Sequence, residues 1–175
     1  CLVLKNKASK FGGGFHIDDN HKSIICNLTF RSNNTRKGGC IYILKLTYID
    51  ILLCIFYYNK ASSRGGAVFM DNLSLKKMSK LTVVLCTFLS NIAAQDGTAI
   101  SVKMTKILYF SHIIIKLNYS LSVSVINLQV AEMDLQNVTI NYIVKQTILL
   151  DGSVTVLAKF TNLAFLCPNP TYLYE

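Results

Sequence analysis

The residues Asn59-Lys60-Ala61-Ser62-Ser63-Arg64-Gly65-Gly66-Ala67-Val68-Phe69-Met70 repeat, almost position for position, Asn6-Lys7-Ala8-Ser9-Lys10-Phe11-Gly12-Gly13-Gly14-Phe15-His16-Ile17, and weaker copies begin at Asn33 and Asn91. Tandem units of this size fold by stacking, because no single unit buries its apolar face alone. The repeat therefore constrains architecture strongly and activity weakly.

Aligned on the Asn, the preceding residues are Cys1-Leu2-Val3-Leu4-Lys5, Leu28-Thr29-Phe30-Arg31-Ser32, Cys54-Ile55-Phe56-Tyr57-Tyr58 and Cys86-Thr87-Phe88-Leu89-Ser90. The first and third columns are always apolar and the second and fourth are mixed, the period-two signature of a strand that buries one face. After the glycines the alternation returns. Phe15, Ile41, Val68 and Ile100 form one apolar column and Ile17, Ile43, Met70 and Val102 another, with His16, Tyr42, Phe69 and Ser101 between them. Each copy thus holds at least two short strands.

The register continues beyond Asn91 through Ile113-Ile114-Ile115 with Asn118, then Leu135 to Ile140, then Phe160 to Phe165. One column runs Val3, Phe30, Phe56, Phe88, Ile115, Ile140 and Phe165, at separations of 27, 26, 32, 27, 25 and 25 residues. The long interval implies an insertion near Leu75 to Lys80. Helical repeats are excluded because no segment sustains an i, i+3, i+4, i+7 apolar stripe and β-branched residues dominate. A leucine-rich repeat needs a Leu and Asn spacing that is absent. The expected fold is all-β, a parallel β-helix of about seven coils.

Gly12, Gly13, Gly38, Gly39, Gly65 and Gly66 mark sharp bends, where glycine reaches positive φ without a Cβ clash; Gly97 keeps only the first of the pair. The column Asn6, Asn33, Asn59, Asn91 and Asn118 suits a turn, since Asn tolerates left-handed backbone and stacked amides bond from coil to coil.

These residues resemble the repeat of the polymorphic outer membrane protein family of chlamydial surface autotransporters, which carries a Phe-x-x-Asn and a Gly-Gly-Ala-aliphatic signature in each unit. Phe30-Arg31-Ser32-Asn33, Phe56-Tyr57-Tyr58-Asn59 and Phe88-Leu89-Ser90-Asn91 match the first signature, and Gly65-Gly66-Ala67-Val68 matches the second. Gly38-Gly39-Cys40-Ile41, Gly12-Gly13-Gly14-Phe15 and Gly97-Thr98-Ala99-Ile100 are near matches. The likeness covers residues 1–105; residues 106–175 are degenerate coils. It implies a right-handed, pectin lyase-like β-helix in an exported ectodomain, extracellular or at the cell surface, with adhesion to host or matrix glycans or to other surface proteins as its role. Similar repeats occur in large surface proteins of single-celled eukaryotes.

The chain has 175 residues, enough for one domain, 51% of them hydrophobic. Its net charge of +9 is scattered. With no finger spacing, basic helix or aromatic-glycine strand motif beside it, that charge does not point to nucleic acid. No run of 18 uncharged apolar residues exists, so membrane contact is expected only through parts of a parent protein. The opening Cys1 and the abrupt close at Glu175 read as a piece of a longer chain, and open strands at both ends would favour aggregation.

Cys1, Cys54 and Cys86 share an inward column, Cys26 is expected on the same face, and Cys40 takes a small-residue position. Buried free thiols are the plain reading, with Cys54 and Cys86 the one pair close enough for a disulfide. His16, His21 and His112 lie near no paired cysteines, so no metal or other cofactor is expected. A polysaccharide lyase or hydrolase needs convergent carboxylates. Asp18 and Asp19 alternate across a strand, Asp71, Asp96 and Asp151 fall in different columns, and Asp50 would need a partner if it faced inward, so no catalytic residue is assigned. Lys45, Lys76, Lys77, Lys80, Lys103 and Lys106 gather late in the coils and could line one edge, as a polyanion stripe or as protection against edge pairing. Glycosylation triplets start at Asn27, Asn33, Asn72, Asn118 and Asn137, of which Asn72 and Asn137 read as the better placed. The expected role is a non-enzymatic structural or adhesive segment, with a carbohydrate-binding or carbohydrate-active domain as the alternative.

Overall fold

The computed structural model describes residues 1–18, 22–45, 48–72, 79–117, 124–141, 150–162 and 164–166, and among them every regular element is a strand. The first turn holds β1 (Leu2–Leu4), β2 (Phe15–Asp18) and β3 (Lys22–Cys26). The second holds β4 (Thr29–Arg31), β5 (Asn34–Lys37), β6 (Ile41–Leu44) and β7 (Tyr48–Leu52). The third repeats that order with β8 (Ile55–Tyr57), β9 (Lys60–Arg64), β10 (Val68–Asp71) and β11 (Lys80–Val84). The fourth begins with β12 (Thr87–Leu89) and β13 (Ile92–Ala93) and enters β14 (Ile100–Lys116), after which β15 (Ile126–Asn141), β16 (Leu150–Thr161) and β17 (Ala164–Leu166) follow.

Strands pair in parallel with their counterparts one turn away, which defines a parallel β-solenoid with four faces. The first face stacks β1, β4, β8 and β12, then the ends of β14 and β15, and then β17. The second is the short sheet β5, β9 and β13, extended by bridges from Lys7 and Phe11. The third stacks β2, β6, β10 and the start of β14. The fourth stacks β3, β7, β11 and the middle of β14. Complete turns number about four rather than the seven expected. The Asn-to-Gly segment that builds the second face occurs four times, and beyond it β14, β15 and β16 run long strands across successive faces.

One register column threads the first face: Val3 pairs with Phe30, Phe30 with Phe56, Phe56 with Phe88, Phe88 with Ile115, Ile115 with Ile140 and Ile140 with Phe165. Val3, in the outermost turn, is partly buried, while Phe30, Phe56, Phe88, Ile115 and Ile140 are buried. The rings of Phe30, Phe56 and Phe88 lie nearly parallel, with centroids 4.9 and 4.8 Å apart and tilts of 4° and 7°. Parallel strands fix that spacing, so identical rings in one column are held in stacked contact. Ile41, Val68 and Ile100 on the third face and Ile51, Val83 and Phe110 on the fourth close the core.

The glycine pairs divide their work. Gly12, Gly38, Gly65 and Gly97 have φ of 55°, 65°, 64° and 60°, as a left-handed corner requires. Gly13, Gly39 and Gly66 do not share that conformation. A Cβ on Gly39 would run into the carbonyl of Gly66, and one on Gly66 into the carbonyl of Thr98, so the second glycine lets adjacent turns approach. Expecting positive φ at both was therefore wrong for the second.

The Asn column is likewise not the left-handed position. That conformation belongs to the preceding residue, Lys5, Ser32, Tyr58 and Ser90, with φ between 49° and 56°. Their backbone N–H groups still donate along the ladder, from Ser32 to Tyr57 at 3.1 Å and from Tyr58 to Leu89 at 3.0 Å, which holds non-glycine residues in a costly corner. A second row of such corners, Asn27, Leu53, Leu85, His112, Asn137 and Asn162, joins the fourth face to the first. It interrupts strand alternation, and so Cys26, paired with Leu52 on the outer side, is exposed rather than inward.

Candidate functional site

The Asn ladder comes first because it is the most repeated polar feature. Asn33, Asn59 and Asn91 are buried and Asn6 is exposed at the end of the stack. The Asn59 Oδ1 accepts the Asn33 backbone N–H at 2.9 Å and the Asn33 amide at 3.0 Å, and Asn91 Oδ1 does the same for Asn59 at 3.1 and 2.9 Å. Each Nδ2 also donates to a carbonyl of the turn before, from Asn59 to Phe30 at 3.0 Å and from Asn91 to Phe56 at 2.9 Å. These amides are spent on the fold and face no solvent. Asn118 lies outside the described residues.

Where the second face bends into the third, outward side chains meet. The ring of Phe11 stacks on Tyr42 with centroids 4.3 Å apart, His16 meets Tyr42 edge-on at 5.1 Å, and Tyr42 lies 5.6 Å from Phe69. The Lys37 ammonium sits 5.4 Å from the Phe69 centroid and 5.9 Å from that of Phe11. The outward column His16, Tyr42 and Phe69 is thereby largely covered, with Tyr42 3% and Phe69 1% exposed; only His16 is open. Burial pushes the Tyr42 phenol up to about 12, and the carboxylates of Asp71 and Asp18 add to it. Arg64 Nε and Asp96 Oδ2 pair at 3.0 Å beside this cluster.

Two acids do share an outward column. The register Asp18–Leu44–Asp71 puts both carboxylates on the third face two rungs apart, about 9.6 Å along the axis at the usual strand spacing. Asp50 faces outward, since its neighbours Ile49 and Ile51 are the buried ones, and its column continues through Thr82 and Tyr109 to Asp134. Asp19 and His21 lie outside the described residues.

The fourth face carries an open cavity of about 220 Å³ lined by Lys80, Ile107, Leu108, Tyr109, Glu132, Met133 and Asp134. Glu132 and Asp134 are two apart on β15 and so point to the same side. Tyr109 donates its hydroxyl to Gln136 Oε1 at 3.2 Å, and Gln136 Nε2 donates to Asp134 Oδ2 at 3.1 Å, which orients the acid. Thr82 Oγ1, one rung before Tyr109, is buried and has no partner among the described residues. The sequence reading named Lys80 but neither acid. The alternation Glu132-Met133-Asp134 was the available signal, and it could be used only once the register placed it beside Tyr109.

Of the other basic residues, Lys45 and Lys103 lie at the ends of third-face strands and Lys106 at the entry to the fourth; Lys76 and Lys77 are outside the described residues. Cys40, Cys54 and Cys86 are buried free thiols and Cys1 is exposed. The Cys54 N–H points at Cys86 Sγ across 3.4 Å, and each sulfur lies within hydrogen-bond reach of the carbonyl two residues earlier, Cys54 Sγ 3.2 Å from Leu52 and Cys86 Sγ 3.3 Å from Val84. A hydrogen bond from Cys86 draws the Cys54 thiol down to about 7 against the effect of burial, while the same contact and burial push Cys86 well up. Among the described residues no three His, Cys, Asp or Glu side chains gather in a set that could hold a metal ion. No helix among them is long and apolar enough to cross a membrane.

The fold defines the class of this molecule, a parallel β-solenoid. Comparison with protein-family models, with curated proteins and with solved structures gave no match.

Proposed function

We propose that this chain is a non-enzymatic structural or adhesive segment of a larger exported cell-surface protein, of the polymorphic outer membrane protein type with a pectin lyase-like coil. The observation that carries the reading is where the repetition goes. Residues that recur from turn to turn, the Phe stack and the Asn ladder, are buried, whereas the outward columns differ at every rung. Selection for a long rod whose sides are free to vary leaves that pattern. A row of exposed aliphatic side chains runs along one edge, Leu53 and Leu85 at the corner with Ile55 and Ile114 beside them, and offers apolar contact to a partner. A carbohydrate-binding role is the second reading, favoured by the cavity of the fourth face.

The test has two arms. Antibody against this chain should label intact source cells without permeabilisation, and purified chain coated on a surface should retain cells or matrix. Labelling that appears only after permeabilisation, or release of reducing or unsaturated sugar from polysaccharides at an enzymatic rate, would sink the proposal.

A further inference from the structure

We infer that the fourth face carries a subsite for one unit of a neutral, hydroxyl-rich saccharide, built from Lys80, Tyr109, Glu132 and Asp134. This deepens the adhesive reading and rests on it. The donors and acceptors are mixed: Glu132 and Asp134 accept, Lys80 donates, and Tyr109 presents a half-exposed ring. Vicinal sugar hydroxyls both donate and accept and the sugar's C–H face packs on aromatic rings, so this set suits them. The Tyr109–Gln136–Asp134 hydrogen bonds hold the ring and the carboxylate in place before any ligand arrives, which lowers the cost of ordering them.

Other occupants fit less well. A phosphate or uronate would face two carboxylates against one ammonium. A peptide adding as a strand needs free backbone groups, and here β11, β14 and β15 are already paired with one another. The volume of about 220 Å³ lies below the ~300–1,000 Å³ of pockets that engulf a whole small molecule, so the site holds one unit of a chain lying along the rod.

The experiment titrates the full chain calorimetrically with neutral hexasaccharides of glucose, mannose and N-acetylglucosamine, with polygalacturonate and oligolysine alongside. At least one neutral series should bind, and Asp134→Asn, Glu132→Gln and Tyr109→Ala should each weaken it by about tenfold or more while Lys60→Ala on the second face leaves it unchanged. Circular dichroism and melting temperature of the two isosteric acid variants, held to the wild-type values, separate lost contact from lost fold. Binding of none of the neutral sugars, binding indifferent to all three variants, or binding only of polygalacturonate or oligolysine overturns the inference. Cell retention that survives without sugar binding removes the saccharide site and keeps the adhesive reading, whereas sugar binding without cell retention does the reverse.

Discussion

Asn59 Oδ1 accepts two hydrogen bonds from Asn33, one from its backbone N–H and one from its side-chain amide, in a site closed to solvent. One side chain thus satisfies the backbone of the turn before it, and the next Asn repeats the arrangement. Replacing Asn59 by Leu strands the Asn33 N–H and the Phe30 carbonyl, while the Asn33 amide keeps its bond to the Val3 carbonyl. At about 1–3 kcal/mol for each buried group left unpaired, a loss of about 2–6 kcal/mol is expected. Asn6→Leu, at the exposed end, should cost less than about 1 kcal/mol. Urea unfolding of both variants checks this, and equal midpoints would remove the ladder as a source of stability.

The two glycines of a pair should fail for different reasons. Gly66→Ala sets a methyl group against the Thr98 carbonyl of the next turn, so the turns must separate. Gly65→Ala must hold φ near 64° and also meets the Val68 carbonyl. Gly65→Asn, which tolerates that φ, should recover part of the loss, while Gly66→Asn should recover none. Thermal melts of the four variants decide it; partial rescue at Gly66 would show that conformation, not contact, is the constraint there.

The ring stack predicts a graded response. Phe56 lies between Phe30 and Phe88 at 4.9 and 4.8 Å, so Phe56→Ala should cost about 3–5 kcal/mol and Phe56→Leu about 1–2. The same changes at Phe11, half-exposed at the outer corner, should cost clearly less. Chemical denaturation measures both series, and parity between the two sites would contradict the burial.

Cys54 is the group whose titration should be visible near neutrality. Its folded value of about 7 lies below the ordinary 9.0, so its ionisation contributes stability that is present above about pH 9, declines through the window between 9 and 7, and is lost below 7. Cys86 is shifted the other way and acts against stability only above its ordinary value. Thiolate absorbance should rise near pH 7 in the wild type, and in Cys86→Ala that step should move up, because the donor that lowers it is gone. An unchanged step in the variant would refute the coupling.

Glycosylation, if the chain is made in a host that glycosylates, should favour Asn27. It is exposed at a corner, whereas Asn33 and Asn72 are buried, Asn72 with its amide 3.4 Å from Thr105 Oγ1. Asn137 is half-exposed but bonded to His112 at 3.2 Å and Asn162 at 2.8 Å. Peptide mapping with and without glycosidase reads occupancy site by site, and full occupancy at Asn33 would contradict the burial of the ladder.

Repeat length, strand alternation and the inward columns were legible because they depend on nearest neighbours along the chain. Val3, Phe30, Phe56 and Phe88 could be aligned from spacing alone, and so could the first glycine of each corner. Errors arose where a corner breaks the alternation: Cys26, just before the left-handed Asn27, was assigned inward and is exposed, and the left-handed residue was placed one position late, on the Asn. The glycine segment occurs four times, which also explains why extending the period overstated the number of complete turns.

The amino-acid order by itself determined that the chain is a stacked all-β solenoid, since a repeat with one apolar face has no other way to hide it. Only the tertiary structure decided what stands beside what between turns. The partners there are roughly one repeat apart in sequence and their contacts depend on the angle of each corner. That is why the burial of Tyr42 beneath Phe11, and the meeting of Lys80 with Tyr109, Glu132 and Asp134, could not be read from any single copy of the motif.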